Sequence, residues 1–269
     1  MILILDFGSQ FTQLIARRVR ESCVYCEIHP FDKPLDEIRQ LEPAGIILSG
    51  GPDSVFDDGA PQVDPGVFEL GVPVLGICYG IHLIAHHLGG GVERATEREY
   101  GRAEISIGDP GVLFEGLEHR ETVWMSHSDR ITSAPAGFTV CASTPNAPVV
   151  ALANPERRIY GIQFHPEVSH TPKGTEILRN FLRGVCGLEG DWRMASFLDE
   201  AVASIRQQVG DEKIICALSG GVDSTVMAAL VKLAVGDQLT AIFVDNGVLR
   251  KGERDQVVHN LRDGLGLPI

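Results

Sequence analysis

Aromatic side chains are scarce. Phe, Tyr and Trp make up 6% of the 269 residues, although 44% of the chain is hydrophobic. The large apolar residues are therefore mostly aliphatic, a composition typical of parallel strands covered by helices on both faces. Long apolar runs are missing too, and no stretch approaches the roughly 20 residues of a membrane span. Met1 leads straight into Ile2-Leu3-Ile4-Leu5, with neither a basic region nor a cleavage site, so no secretory leader is expected. Basic residues are in deficit: 23 Lys and Arg against 36 Asp and Glu leave a net charge of −13. That balance offers no broad basic face, so neither nucleic acid nor an anionic membrane is an expected partner. Anionic small molecules remain open, because backbone N–H groups bind phosphate whatever the net charge. Six cysteines in this length do not make a disulfide framework. Cys23 and Cys26 form a C-x-x-C, but without the second pair or helix start that a metal or redox motif needs. Two incidental thiols and a cytoplasmic setting are expected.

The length and hydrophobic fraction allow one large domain plus part of another. Leu3 to Leu5, Val24 to Ile28, Gly45 to Leu48 and Val72 to Ile77 read as strands. Ser9 to Glu21 and Leu35 to Leu41 have helical spacing, with Phe11, Leu14, Ile15 and Arg18 on one face. This alternation predicts an open, mostly parallel α/β sheet with helices on both faces. Ligands then belong at the carboxyl ends of the strands. After about Gly89 the pattern changes to successive strands, which predicts an antiparallel extension of the same domain. Its strands are Ala103 to Ile107, Thr122 to Met125, Thr139 to Ala142, Val149 to Ala153 and Arg158 to Phe164. A helix from about Lys173 to Val185 closes it. The boundaries are expected at 1–188 for this domain and 189–193 for a linker, with the beginning of a second α/β domain in 194–269. There Met194 to Gln208 and Asp223 to Leu233 read as helices, and Lys213 to Leu218 and Leu239 to Val244 as strands.

Three short motifs carry chemistry. Gly76-Ile77-Cys78-Tyr79-Gly80 is a G-x-C-x-G between a strand and a helix. A nucleophile on such a sharp turn projects at the carboxyl edge of the sheet, and the helix N-terminus behind it favours a thiolate. A buried structural cysteine is the competing reading. In Gly161-Ile162-Gln163-Phe164-His165-Pro166-Glu167, Pro166 ends a strand and leaves His165 able to reach the cleft. His165 is then the candidate base, with Glu167 the carboxylate that fixes its tautomer. In Ile46-Ile47-Leu48-Ser49-Gly50-Gly51-Pro52 a strand runs into paired glycines, whose N–H groups suit an oxyanion. An ordinary Gly-Pro turn would look the same in isolation.

A fourth motif lies in the second domain. Ser219-Gly220-Gly221-Val222-Asp223-Ser224-Thr225 follows a buried strand and opens a helix. Glycines there let the backbone approach a phosphate, and the helix N-terminus supplies N–H groups. Asp223 is placed to hold Mg²⁺ against the phosphates. The Gly-Lys-Ser/Thr ending of a Walker A loop is missing.

The first 190 or so residues resemble the class I, triad-type glutamine amidotransferases, and more narrowly the amidotransferase domain of the GMP synthetase family. The narrower resemblance rests on Leu5-Asp6-Phe7-Gly8-Ser9-Gln10 with Gln13 to Glu21, Ser49 to Val55, Glu99-Tyr100-Gly101, Met125-Ser126-His127 and Gln163 to Val168. It implies that Cys78 attacks the glutamine side-chain amide, that His165 shuttles the proton and that Glu167 orients His165. It implies an oxyanion hole from the N–H groups of Gly51 and Tyr79. Glutamine's backbone groups would be held by Ser126, His127 and Ser128, with Asp129 in the same segment. The loop from Ser219 to Thr225 resembles the PP-loop of ATP pyrophosphatases, and Phe243 to Arg250 a second block of the same family, with Val244 near the adenine. ATP, Mg²⁺, XMP and glutamine are thus the implied co-substrates and partners. A homodimer is implied through a C-terminal domain that this sequence does not contain. The chain departs from the family at His82, usually Gln, at Ser128, usually Gly, and at Val248, usually Leu. The His82 difference puts glutamine affinity in question. Because 194–269 cannot complete such a sheet, the 269 residues are expected to make no GMP and at most to hydrolyse glutamine, slowly. Competing expectations are the glutaminase part of another glutamine-fed PP-loop synthetase, a γ-glutamyl hydrolase, and a non-catalytic glutamine or nucleotide sensor.

Overall fold

The structure, a computed structural model, describes every residue but Asn246, and all side chains except those of Asn246, Ser128, residues 95–98 and residues 194–196. It divides into two compact units, Met1–Trp192 and Arg193–Ile269.

In the first unit the strands are β1 (Ile2–Asp6), β2 (Cys26–Pro30), β3 (Gly45–Leu48), β4 (Val74–Ile77), β5 (Gly91–Ile107), β6 (Arg120–Ser133), β7 (Thr139–Ser143), β8 (Ala151–Asn154) and β9 (Ile159–Ile162). The helices are α1 (Thr12–Glu21), α2 (Leu35–Gln40), α3 (Tyr79–Leu88) and α4 (Gly174–Asn180). All nine strands join one sheet in the order β2-β1-β3-β4-β9-β8-β7-β5-β6. The pairings from β2 to β9 are parallel, and those from β9 to β6 antiparallel. The β1, β3 and β4 side chains alternate between two cores. Ile2, Ile4, Ile47, Leu75 and Ile77 pack on one face, and Leu3, Leu5, Ile46, Leu48 and Val74 on the other. Covered faces on both sides explain why these strands read as unbroken aliphatic runs.

Two expectations are corrected. The inward stripe of α1 is Thr12, Ile15, Ala16 and Val19, not Phe11, Leu14, Ile15 and Arg18. Phe11 lies before the helix and Arg18 is spent on a polar contact described below. The segments read as Ala103–Ile107 and Thr122–Met125 are parts of a much longer antiparallel pair, Gly91–Ile107 with Arg120–Ser133. Its outer portion carries charged residues such as Glu93, Arg94 and Arg130, and their ion pairs replace the apolar alternation that marks a strand in sequence. The C-x-x-C is no cluster: Cys23 is exposed at a positive φ of 60°, while Cys26 is buried with its thiol against the Ala16 carbonyl.

The second unit contains α5 (Met194–Val209), β10 (Ile214–Leu218), α6 (Val222–Val235), β11 (Leu239–Phe243) and α7 (Glu253–His259). β10 and β11 pair in parallel, and Cys216, Leu218, Leu239 and Ala241 face the packed side. On the other side Ile215 is 73% exposed and Ile242 is exposed as well.

Candidate active site

β4 ends at Ile77 and α3 begins at Tyr79, so Cys78 makes the whole reversal, with φ 53° and ψ −103°. A non-glycine residue in this region is strained by about 1–3 kcal/mol and persists only where its surroundings impose it. The flanking glycines do this by backbone-to-backbone contact. A Cβ on Gly76 would lie 2.5 Å from the Gly80 carbonyl carbon and oxygen, and one on Gly80 would lie 2.5 Å from the Leu48 oxygen. The start of α3 is thereby pressed onto β3 and β4. Gly80→Ala is expected to destabilise the first unit by about 2–3 kcal/mol, read as a lower urea midpoint. An unchanged midpoint would mean that β3 yields to the methyl group.

Cys78 is buried, with its Sγ 3.5 Å from the Ser126 carbonyl oxygen and its N–H donating to the Ile162 oxygen at 2.9 Å. His165 arrives from the turn after β9. Its N–H donates to the Trp124 oxygen at 3.0 Å, and its carbonyl accepts from Thr171 Oγ1 at 2.7 Å. Thr171 Oγ1 also accepts from the Trp124 N–H at 3.0 Å, closing a small ring of bonds around the histidine backbone. The imidazole Nδ1 lies 2.7 Å from Glu167 Oε1. A carboxylate only accepts, so Nδ1 carries a proton and Nε2 is left to serve the Cys78 thiol. Burial works against protonating this ring. The bonds to Cys78 and Glu167 and their charges outweigh it, so His165 is pushed up to about 10. Glu167 is fully buried, and its carbonyl accepts from Arg18 Nε at 3.0 Å. The Phe11 ring meets the His165 ring edge-on, with centroids 5.2 Å apart.

These groups open onto a cavity of about 410 Å³ whose wall includes Ser9, Phe11, Gly51, Cys78, Tyr79, His82, Tyr100, Ser126, His127, Asp129 and His165. Gly51 and Tyr79 adjoin, because a Cβ on Gly51 would meet Tyr79 Cγ at 3.3 Å and the Phe7 oxygen at 2.7 Å. The Tyr79 hydroxyl turns away to donate to the Pro61 oxygen at 2.8 Å. His82 lies one turn along α3 from Cys78, on the same helix face. Burial pushes it down to about 4, so it is neutral, and its Nε2 is 2.7 Å from Gln163 Oε1. The side chain of Ser128 lies outside the described residues. Sequence reading passes over Phe11, Arg18 and Thr171 as site residues. Arg18 and Thr171 hold the histidine and glutamate from outside the cavity, through contacts 149 and 6 residues apart in sequence.

In the second unit, Ser219 to Gly221 link β10 to α6, with Gly220 at φ +82°. The Gly221 N–H donates to Ser219 Oγ at 3.2 Å, Ser219 Oγ lies 3.0 Å from Ser224 Oγ, and Thr225 Oγ1 donates to the Gly221 oxygen at 2.7 Å. Val222 and Asp223 occupy the first turn of α6, and the loop is solvent-facing. Val244 follows β11 and is exposed, two residues before the undescribed Asn246.

Known proteins agree with both halves of this arrangement. A family model described as "Glutamine amidotransferase class-I" matches residues 3–185, and one described as "NAD synthase" matches residues 193–267. A glutamine-hydrolysing GMP synthase of Acetivibrio thermocellus is 58% identical over 257 residues, covering 96% of this chain and 50% of that protein. The corresponding protein of Geobacillus kaustophilus is 56% identical over 269 residues, covering all of this chain and 53% of that protein. The chain thus spans about half the length of the curated relatives it matches. Among solved structures, a putative GMP synthase protein from Thermoplasma acidophilum superposes with a TM-score of 0.60 at 36% identity. That match covers 69% of this chain and 93% of the other. A glutamine amidotransferase from Thermotoga maritima, with a TM-score of 0.55 at 18% identity, shares the fold. With a family match running through most of the first unit and a solved relative covered almost end to end, the chain belongs to the class-I glutamine amidotransferase family.

Proposed function

We propose that the first unit hydrolyses the side-chain amide of glutamine, and that the ammonia serves the amination of XMP to GMP in a glutamine-hydrolysing GMP synthase. The observation that carries this is the line from Cys78 through His165 to the buried Glu167, with a 2.7 Å bond at its far end. In this reading the Cys78 thiolate attacks the amide carbon, and the N–H groups of Gly51 and Tyr79 take the charge on the amide oxygen. His165 gives its proton to the departing ammonia, leaving a thioester. It then removes a proton from water, which cleaves the thioester to glutamate. Glu167 holds His165 in the tautomer that points Nε2 at sulfur. Ser126, His127 and Ser128 contribute to the seat of the amino-acid end of glutamine.

The second unit, residues 194–269 after a linker at 189–193, is read as the first part of an ATP pyrophosphatase domain. Ser219 to Thr225 form its phosphate loop, and Val244 stands near the adenine. ATP activates XMP by adenylation, and ammonia displaces AMP. One exposed carboxylate, Asp223, beside serine and threonine hydroxyls fits a Mg²⁺ that arrives on the nucleotide, since that ion combines one or two carboxylates with phosphate oxygens and water. A cytoplasmic setting and a homodimer formed through further sequence belong to the same reading. No helix among the described residues is long and apolar enough to cross a membrane. The match of 193–267 to NAD synthase keeps one alternative, a glutamine-fed PP-loop synthetase with another acceptor. In the whole enzyme, AMP release that depends on glutamine and XMP is expected. AMP release indifferent to XMP would leave only the alternative. In the same assay Asp223→Ala is expected to lower XMP-dependent AMP release at least tenfold, with glutamine hydrolysis without nucleotide unchanged. Unaltered AMP release would remove Asp223 from the metal site.

A further inference from the structure

Glu99 belongs to none of the steps above, yet it is built into the wall behind them. It pairs across the sheet with His127, immediately after a register shift between Arg94 and Glu99 in β5. Thr144 Oγ1 donates to Glu99 Oε1 at 3.1 Å, which aims the other oxygen, Oε2, at His127 Nε2, 3.3 Å away. His127 is buried, and its Nδ1 lies 2.7 Å from the Asp129 carbonyl oxygen. A carbonyl only accepts, so Nδ1 carries a hydrogen. In a neutral ring Nε2 is then a bare lone pair, facing a carboxylate oxygen that is also a lone-pair donor. Both atoms are buried, and among the described residues neither has a hydrogen-bond partner. Two acceptors turned on each other in a buried site would leave two unpaired polar groups, each costly. One added proton satisfies both.

We infer that Glu99 and His127 hold one shared proton between Oε2 and Nε2, and that Glu99 is thereby a positioning residue for the glutamine seat. The inference rests on the proposed glutaminase reading of the cavity. Glu99 is absent from the cavity wall, whereas His127 and Asp129 line it, so Glu99 acts through His127. With the proton in place the pair is neutral whichever atom holds it. Among the described residues, the charged and titratable groups facing His127 are Glu99 on β5, Asp129 on its own strand and His82 on α3. His82 is neutral, which leaves Asp129 as the uncompensated charge among the described residues. Its Oδ2 is buried without a hydrogen-bond partner among the described residues. That carboxylate is matched to an ammonium group such as the α-amino end of an amino acid. Burial pushes the His127 ring down, while its bond to the Asp129 carbonyl and the facing Glu99 pull it up. Loss of the shared proton would add a second negative charge beside Asp129 and force His127 away from Glu99.

The first test needs no turnover. Nitrogen and carbon NMR of the labelled protein at neutral pH is expected to find a proton on His127 Nε2, or a protonated Glu99 carboxyl opposite it. An ionised Glu99 facing an unprotonated Nε2 overturns the inference. The second test reads positioning in the whole enzyme. Glu99→Ala is expected to raise KM for glutamine roughly tenfold with kcat little changed. Glu99→Gln, whose amide donates to Nε2 without a titrating proton, is expected to restore KM. Wild-type KM in Glu99→Ala sinks the positioning role. If the wild-type protein hydrolysed no glutamine at all, the glutaminase reading would fail while the NMR result still decided the proton.

Discussion

Cys78→Ala is expected to reduce ammonia release from glutamine by about 10⁴-fold or more and to leave the fold intact. The large effect follows from what the thiol alone supplies. Without it no covalent intermediate forms, and the remaining groups offer only binding and a site for the oxyanion. The fold should persist because the strain at φ 53° belongs to the backbone reversal, which the Gly76 and Gly80 contacts impose whatever the side chain. Alanine keeps Cβ and removes only Sγ, the atom that meets the Ser126 carbonyl at the cavity. A second readout does not depend on the turnover rate. A glutamine analogue carrying a chloroketone in place of its amide should alkylate the wild-type protein at Cys78 and nowhere else. Cys26, Cys141 and Cys216 are buried and Cys186 is half-buried, and burial pushes the thiols of Cys26, Cys141 and Cys186 up, so these three stay protonated at neutral pH. Cys23 is exposed but does not line the cavity that would hold the analogue. Ammonia release by Cys78→Ala at the wild-type rate would remove Cys78 as nucleophile. Alkylation directed to Cys23 would show that the cavity does not recognise glutamine.

Much of this site is legible in the amino-acid order alone, because its positioning devices are local. A nucleophile turn needs small residues at fixed offsets, and Gly76 and Gly80 supply them within five residues of sequence. His165 and Glu167 are separated by one proline, so their mutual reach is a property of the dipeptide step. The aliphatic runs of β1, β3 and β4 announce a sheet covered on both faces. The rest depends on contacts that no spacing announces. Arg18 falls at a helical interval with the apolar residues of α1, yet its guanidinium is drawn to the Glu167 carbonyl 149 residues later. The full length of β5 and β6 is hidden in sequence because ion pairs and a register shift break the two-residue alternation. Glu99 stands out in the sequence only as part of a resemblance. Its placement opposite His127 follows from the register after that shift, which sequence pattern does not determine.

Glu167→Gln is expected to lower kcat for glutamine by about 10²- to 10⁴-fold while changing KM little. The substitution keeps the size of the side chain and the contact of the backbone carbonyl with Arg18, but it removes the negative charge 2.7 Å from Nδ1. That charge does two things. It selects the tautomer with Nδ1–H, and it offsets the positive charge the ring carries when it holds the thiol proton. Burial opposes that charge, and only the bonds and charges of Cys78 and Glu167 raise the ring from its ordinary 6.5 to about 10. Removing one of the two supports lets burial gain ground, so the ring becomes a poorer proton acceptor. The sign of the pH dependence follows. A group whose native value is raised stabilises the fold fully below its unfolded value, and that contribution is lost as the pH climbs through the native value. Wild-type stability from this source is therefore complete below about 6.5 and gone above about 10. In Glu167→Gln the loss should finish at lower pH, so the two urea midpoints should draw together as the pH rises toward 10. Glu167→Ala should show the same convergence with a further loss of packing at every pH. Wild-type kcat in Glu167→Gln, together with midpoints that run parallel with pH, would mean that the buried carboxylate holds neither the tautomer nor the proton of His165.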